Sequence, residues 1–200
     1  IIQNPIDLGI DVVIHSATKY FGGHSDISAG AVASSQEIMD KIWDLAKDFG
    51  GNLSDYTVWL LERSMKTLGI RVKAQQRNAK RLAKYLYKHP AVKSVYYPGL
   101  KSNEYHSLAK IQMKGFGAML SFELKDRFDS DQFLKALTLI QPSMSLAGVE
   151  STMLLPSKTS HSLLSEADRA NQGITDQLIR FSVGIETTKD LIKDIEQAIS

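Results

Sequence analysis

The sequence predicts an α/β protein, and three observations carry that prediction. A β-branched run, Ile10-Asp11-Val12-Val13-Ile14, opens into a loop of small, hydroxylic and glycine residues. Two long stretches, 36–49 and 70–89, repeat apolar residues at helical spacing. Shorter segments later in the chain alternate apolar and polar residues with a period of two. Strands interleaved with helices exclude an all-α or all-β class.

Taken in order, residues 10–14 form an apolar run broken only by Asp11 and are expected as a buried, parallel strand. Residues 28–33 are a second strand of small residues. Residues 36–49 form a helix with Ile38, Ile42, Leu45 and Phe49 on one face, ended by Gly50-Gly51-Asn52. Ser54 caps the next helix, which contains VWLLERSMKTL. Gly69 interrupts the pattern. A long helix then runs to about His89 on a stripe of Ile70, Ala79, Leu82, Ala83 and Leu86, and Pro90 stops it. Residues 92–97 are a strand. Leu120, Phe122 and Leu124 alternate with Met119, Ser121 and Glu123 in a half-buried one. Asp129 or Ser130 starts a helix through Leu139. LIRFSVGIE is a further strand, and Thr188 begins a last helix with Leu191, Ile192, Ile195 and Ile199 inward. The division falls near residues 69–71, with an α/β segment at 1–70 and an α+β domain at 71–200. There is no internal repeat.

Composition narrows the function classes. No apolar run approaches the roughly 20 residues that span a bilayer, and no signal-peptide pattern opens the chain. The cysteine count is 0, which removes disulfide frameworks, thiol nucleophiles and thiolate metal sites and suits the cytoplasm. Lys+Arg number 24 against 22 Asp+Glu, a balance unlike that of a nucleic-acid protein. Residues 71–88 do hold seven lysines or arginines and no acid. The intact apolar stripe makes that run the solvated back of a helix. The histidines at 15, 24, 89, 106 and 161 show no metal-binding spacing. The chain opens at Ile1 on a strand without a preceding partner, so it is expected to be the later part of a longer protein.

SATKYFGGHSD, residues 16–26, follows the first strand and raises the question of Lys19. A lysine there is either a surface residue or a working amine. Loops at the carboxyl ends of strands are where α/β folds place ligands, and the neighbours of Lys19 are small enough to admit one. In extended chain Ser16 and Thr18 point to the same side. Pyridoxal phosphate carries an aldehyde and a phosphate arm on neighbouring ring carbons, and needs an amine close to hydroxyl donors. Ser-x-Thr-Lys supplies both. The amine must be neutral to attack a carbonyl, and the apolar strand before it is the expected source of burial.

An amino-acid substrate would need its carboxylate fixed, which an arginine fork does well. In LIRFSVGIE, Arg180 shares a face with Ser182 and Gly184, the two smallest residues of the strand, which would leave room for a ligand. The competing reading is a solvated arginine on a surface strand. GHSDI nearly matches the Gly-x-Ser-x-Gly elbow of serine hydrolases, with Ile27 in place of the last glycine. A hydrolase or a non-catalytic binding module is therefore the alternative from another class.

HSATKYFGGHSDISAG closely resembles the cofactor-attachment segment of the transsulfuration family, the pyridoxal-phosphate enzymes of cysteine and methionine metabolism. That family includes cystathionine γ-synthase, cystathionine γ-lyase, cystathionine β-lyase and methionine γ-lyase. LIRFSVGIE, SLAGVES (residues 145–151) and SHSLL match further segments in the same order, and the matches run from Pro5 to Ile195. The resemblance implies the later part of an aspartate-aminotransferase-like (fold type I) enzyme, with residues 1–70 from the cofactor-binding large domain and 71–200 as the small C-terminal domain. It implies that Lys19 attaches to pyridoxal 5′-phosphate and that Ser16 and Thr18 bind the phosphate. It makes Arg180 the grip on the substrate carboxylate and places Ser145 and Ser160 near the substrate.

The implied activity is γ-replacement or γ-elimination on a sulfur-related amino acid, with methionine γ-lyase or cystathionine β-lyase as alternatives. The implied assembly is a cytoplasmic homotetramer with neither nucleic acid nor membrane as partner. Relatives also use an upstream aspartate and aromatic residue on the ring, and a tyrosine and an arginine from a neighbouring subunit on the phosphate. All of these would precede Ile1, so the segment is not expected to work alone. It departs from the family at Met144, where cystathionine γ-synthases and γ-lyases often carry glutamate, β-lyases tyrosine and methionine γ-lyases an apolar residue, at Ser64 in place of glycine and at Asp55 in place of proline.

Overall fold

The computed structural model of the chain describes residues 1–199. Strand β1, Val12–Ser16, pairs antiparallel with β2, Gly30–Ser34, in a two-stranded sheet. The expectation of a buried, parallel strand is corrected on both counts, since β1 runs antiparallel to its neighbour and Ile14 is 75% exposed. An apolar run signals faces that favour cover; it does not fix the direction of the partner.

Helix α1 is Gln36–Phe49, and Gly50, at φ 69°, ends it by donating its N–H to Ala46 O. Helix α2, Asp55–Met65, is capped as expected, with the Ser54 side chain accepting from Thr57 N–H. Helix α3, Leu68–Lys88, begins before Gly69, and its face is rotated from the expected one. Ile70 is 73% exposed, whereas Arg71, Val72, Gln75 and Asn78 are buried beside Ala79, Leu82, Ala83 and Leu86. Positions 71, 75, 78, 82 and 86 stand three or four apart. The buried stripe therefore continues toward the N-terminus of α3 in guanidinium and amide groups rather than in hydrocarbon. The basic run is solvated only in part, because Arg71 belongs to the interior.

The second sheet has five strands: β3, Val92–Tyr96; β4, Met119–Leu124; β5, Gln141–Pro142; β6, Thr152–Leu154; and β7, Leu178–Ser182. Their spatial order is β3-β4-β7-β6-β5, antiparallel throughout except between β5 and β6. Short helices α4, His106–Gln112, and α6, Glu166–Asn171, lie in the connections. Helix α3 packs on β3 and β4, and α7, Thr188–Ile199, packs on α3 and on α5, Ser130–Ala136. Leu82, Leu86, Phe122, Phe133, Phe181, Leu191 and Ile195 form the core between them. Each such side chain contributes about 1.5–3 kcal/mol by leaving water. Strand β4 is more buried than an alternating pattern implies. Glu123 is itself buried, accepting from Ser94 Oγ at 2.7 Å and Thr175 Oγ1 at 2.6 Å. Among the described residues no helix is long and apolar enough to cross a membrane.

Helix α5 stops at Ala136, short of the expected Leu139, for a local reason. The N–H groups of Thr138, Leu139 and Ile140 turn to the buried carboxylate of Asp194 on α7, at 2.8, 3.0 and 2.8 Å. Burial alone would raise the Asp194 carboxyl, but these donors and the Thr138 hydroxyl outweigh it and hold the group below its ordinary value. A depressed folded pKa stabilises the fold above the unfolded-state value, and that contribution is lost as pH falls through the folded one. Asp194→Asn is expected to cost about 2 kcal/mol near neutrality, because one amide oxygen replaces a carboxylate serving several donors. The difference from wild type should shrink as urea midpoints are followed from pH 7 to pH 3.

Candidate active site

Ser16 closes β1, and the chain folds at once into a tight turn. Lys19 N–H donates to Ser16 O at 3.0 Å, Gly22 N–H to Ala17 O at 2.8 Å, and Gly23 N–H to Lys19 O at 2.7 Å. Ala17 is fully buried beneath the turn, whereas Lys19 is half-buried, less enclosed than the sequence led us to expect. With Ser16 it lines a cavity of about 430 Å³ whose walls include His15, Tyr20, Leu68 and Val72. Among the described residues no hydrogen bond or ion pair engages Lys19 Nζ.

Thr18 points elsewhere. The expected extended backbone is replaced by the turn, and Thr18 Oγ1 donates to Ala29 O at 3.3 Å and accepts from Ala29 N–H at 2.9 Å. Its hydroxyl thereby extends the pairing of β1 with β2 beyond Ser16 and Gly30. The two glycines after the lysine are explained by close packing. A Cβ on Gly22 would stand 2.9 Å from Ile27 Cγ1, and one on Gly23, at φ 70°, would overlap Arg71 Nη1.

Arg71 is the residue that sequence reasoning missed. It is 5% exposed, and its guanidinium donates to Tyr20 O at 2.9 Å, Phe21 O at 3.2 Å and Ser64 O at 2.9 Å. Its Nε reaches Thr67 Oγ1 at 3.1 Å. Burial pushes the guanidinium below its ordinary pKa, and carbonyls rather than a carboxylate satisfy it. Ser64 contributes a backbone carbonyl here and is itself buried. Gln75 and Asn78 repeat the device along α3. Gln75 donates to Gly148 O at 2.6 Å, and Asn78 donates to Gly184 O at 3.2 Å and Glu186 O at 2.7 Å. The available signal was their shared spacing with the apolar stripe.

Arg180 lies on β7 between Ser121 of β4 and Leu154 of β6. Its Nη2 donates to Met144 O and Ser145 O, each at 3.0 Å, while its Nε is buried without a partner. Burial lowers this guanidinium from its ordinary pKa too. The expected room beside Ser182 and Gly184 is filled. Ser182 Oγ accepts from Ala147 N–H at 2.7 Å, and a Cβ at Gly184 would overlap Val149 O. The loop 143–150 occupies that face, and among the described residues the donors of Arg180 on Nε and Nη1 are left without a hydrogen-bond partner.

Ser145 belongs to the Arg180 group, and its carbonyl also accepts from Thr152 Oγ1 at 2.8 Å. Ser160 is exposed, with its hydroxyl 2.8 Å from His161 Nδ1. The structure thus places Lys19 with Ser16 and Arg180 with Ser145, and a seam between residues 23–25 and 145–150 joins the two groups. Ser25 sits in that seam without a histidine on its hydroxyl, because His24 Nδ1 turns to Gly22 O at 2.7 Å. The elbow reading therefore lacks its base. Among the described residues no group of three or more potential metal ligands comes together.

A free amine and an alcohol on one cavity suit a cofactor that binds through an aldehyde and a phosphate. An arginine with an unpartnered buried N–H suits an amino-acid carboxylate. Comparison with known proteins points the same way. The chain is 44% identical to cystathionine gamma-lyase of Bacillus subtilis (strain 168) over 198 residues, covering 98% of this chain and 52% of that protein. It is 44% identical to cystathionine beta-lyase of Lactococcus lactis subsp. cremoris (strain MG1363) over 199 residues, covering 99% and 52%. The crystal structure of cystathionine gamma-lyase from Lactobacillus plantarum complexed with L-serine superposes with a TM-score of 0.94 at 42% identity, covering 98% of this chain and 52% of that one. The chain spans about half the length of the curated relatives it matches. The family model for Cys/Met metabolism PLP-dependent enzymes matches residues 1–200 without interruption, and the chain belongs to that family.

Proposed function

We propose that the full-length protein carrying this segment catalyses γ-replacement or γ-elimination on a sulfur-related amino acid, as a cystathionine γ-synthase or γ-lyase. The observation that carries the reading is the unpartnered Lys19 Nζ beside Ser16 on one cavity. When bound, pyridoxal 5′-phosphate supplies an electron sink for a carbanion at the substrate Cα. Lys19 is the amine that attaches to its aldehyde. Ser16 would donate to the phosphate, and Thr18 would join it only by giving up its long contact with Ala29 O.

Lys19 Nζ would remove the Cα proton and return a proton further along the substrate's carbon chain. Arg180, its Nη2 held by the carbonyls of Met144 and Ser145, would grip the substrate carboxylate with the N–H groups those carbonyls leave unused. This fixes which Cα bond faces the lysine, a positioning effect. Ser145 and Ser160 border the substrate. Met144, 61% exposed, gives no charge to a distal ammonium group, so its side chain does not select cystathionine.

Residues 1–70 belong, in this reading, to the cofactor-binding large domain and 71–200 to the small domain. The full protein is a cytoplasmic homotetramer. The apolar surface before residue 66, where Trp43 is 61%, Phe49 83% and Trp59 55% exposed, supports further protein packed against this segment, from the same chain or a neighbouring subunit. Apolar patches of that kind mark surfaces that other protein covers.

Borohydride reduction of the yellow full-length protein, followed by peptide mapping, is expected to fix the cofactor on the peptide bearing Lys19. A colourless protein, or a label on another lysine, overturns the reading. O-acylhomoserine plus cysteine, assayed against cystathionine alone, then separates synthase from lyase.

A further inference from the structure

Among the described residues two non-glycine residues hold a positive φ, Ser25 at 57° and Ala147 at 68°. They lie on the two sides of one seam. Gly23 O accepts from Val149 N–H at 2.9 Å. Ser25 Oγ donates to Glu150 Oε1 at 2.5 Å and stands 3.2 Å from Ser145 Oγ. Side chains in the left-handed region persist only where their surroundings hold them there, and such residues cluster where geometry serves function. One side of the seam is the turn that carries Lys19. The other is the loop whose Met144 and Ser145 carbonyls seat Arg180.

We infer that Ser25 and Glu150 form a latch that fixes the Lys19 turn against the seat of Arg180, and so sets the span between the amine and the carboxylate anchor. Both are positioning residues, since each acts through its neighbours. The left-handed backbone of Ser25 aims its hydroxyl across the seam, and the carboxylate of Glu150, folded over Gly148, receives it. A Cβ on Gly148 would overlap Glu150 Oε1, so the missing side chain at 148 admits the carboxylate. Without the latch the Ser25–Glu150 tie is gone. The Val149–Gly23 hydrogen bond then joins the loops, with the longer Ser25–Ser145 contact remaining only where Ser25 is kept, and Arg180 meets a carboxylate in a wider range of positions.

This inference rests on the roles proposed for Lys19 and Arg180, and its test separates the two. In the full-length holoenzyme, Ser25→Gly, Ser25→Ala and Glu150→Gln are titrated with glycine and with methylamine, following the cofactor's absorption. Glycine carries the carboxylate and methylamine lacks it. Loss of one charge-assisted contact should weaken glycine about tenfold and leave methylamine unchanged. Ser25→Gly adopts the positive φ without strain, so it keeps its melting temperature and cofactor content and still loses the preference. Variants that prefer glycine as strongly as wild type overturn the latch alone. Variants that weaken both probes together also overturn it, because the seam is then general support. Wild-type protein that does not distinguish glycine from methylamine overturns the role of Arg180 and the latch with it, and leaves Lys19 to the borohydride test.

Discussion

Lys19→Ala in the full-length protein is expected to lose turnover by about 10³-fold or more while folding as wild type does. The loss follows from two duties falling on one amine: attachment to the cofactor and proton transfer at the substrate carbon. Proton transfer by a positioned side chain alone is worth roughly 10²–10⁴-fold. Compared free of cofactor, stability should move by less than about 0.5 kcal/mol, since Nζ makes no hydrogen bond or ion pair among the described residues that the substitution would break.

Lys19→Arg separates charge from chemistry. It keeps the positive charge in the cavity, but a guanidinium does not deprotonate in proteins, so it should be as inactive as alanine. Small primary amines added to Lys19→Ala should restore part of the rate, and added guanidine should not. Single-turnover kinetics with and without the amine read the outcome. A Lys19→Ala protein that retains wild-type turnover removes the lysine from the mechanism.

What the sequence disclosed, and what it hid, follows from period and length. Helix α1 was legible because 14 residues give the apolar repeat four turns to declare itself, and Ser54 announced α2 by its chemistry. Helices α4 and α6, of seven and six residues, are too short for a repeat, and strand β6, Thr152–Leu154, is too short for alternation. Helix α3 was found with its face misassigned. An apolar stripe was sought, so it took in Ile70 and left out the buried Arg71, Gln75 and Asn78. The site divides in the same way. Lys19 and Arg180 were legible because amine and guanidinium are the groups such chemistry requires. Thr18 was expected beside Ser16 on the assumption of extended backbone, whereas the turn at residue 17 sends its hydroxyl to Ala29. Glu150 was passed over because its partner Ser25 lies 125 residues away in the chain.

Arg71→Ala is expected to cost about 4 kcal/mol and to loosen the Lys19 turn before the rest of the fold. The guanidinium is the donor for three carbonyls: Tyr20 and Phe21 in the turn, and Ser64 at the end of α2. Hydrogen bonds to a charged group contribute roughly 1.5–3 kcal/mol each, and buried carbonyls left without donors add a desolvation cost. Water entering the space recovers part of this, which leaves a net loss near that figure.

Arg71→Lys removes the planar fork while keeping the charge, so the single ammonium could serve the turn or Ser64 but not both at these angles. Roughly half the loss should remain. Amide exchange locates the effect. The N–H groups of Gly22 and Gly23 close the turn at 2.8 and 2.7 Å, and in Arg71→Ala they should exchange about 10²–10³ times faster. The amides of β4 and β7 should change far less.

Gly23→Ala tests the same contact from the other side. Its Cβ would meet Arg71 Nη1, and its φ of 70° is unfavourable for alanine, so in wild type it should destabilise by more than the backbone term of about 1–2 kcal/mol. In the Arg71→Ala background the clash is absent and only the backbone term remains. The double-mutant cycle should therefore show strong non-additivity. Additive costs would mean that Arg71 and the Lys19 turn are not coupled, and that α3 supports the core without placing the amine.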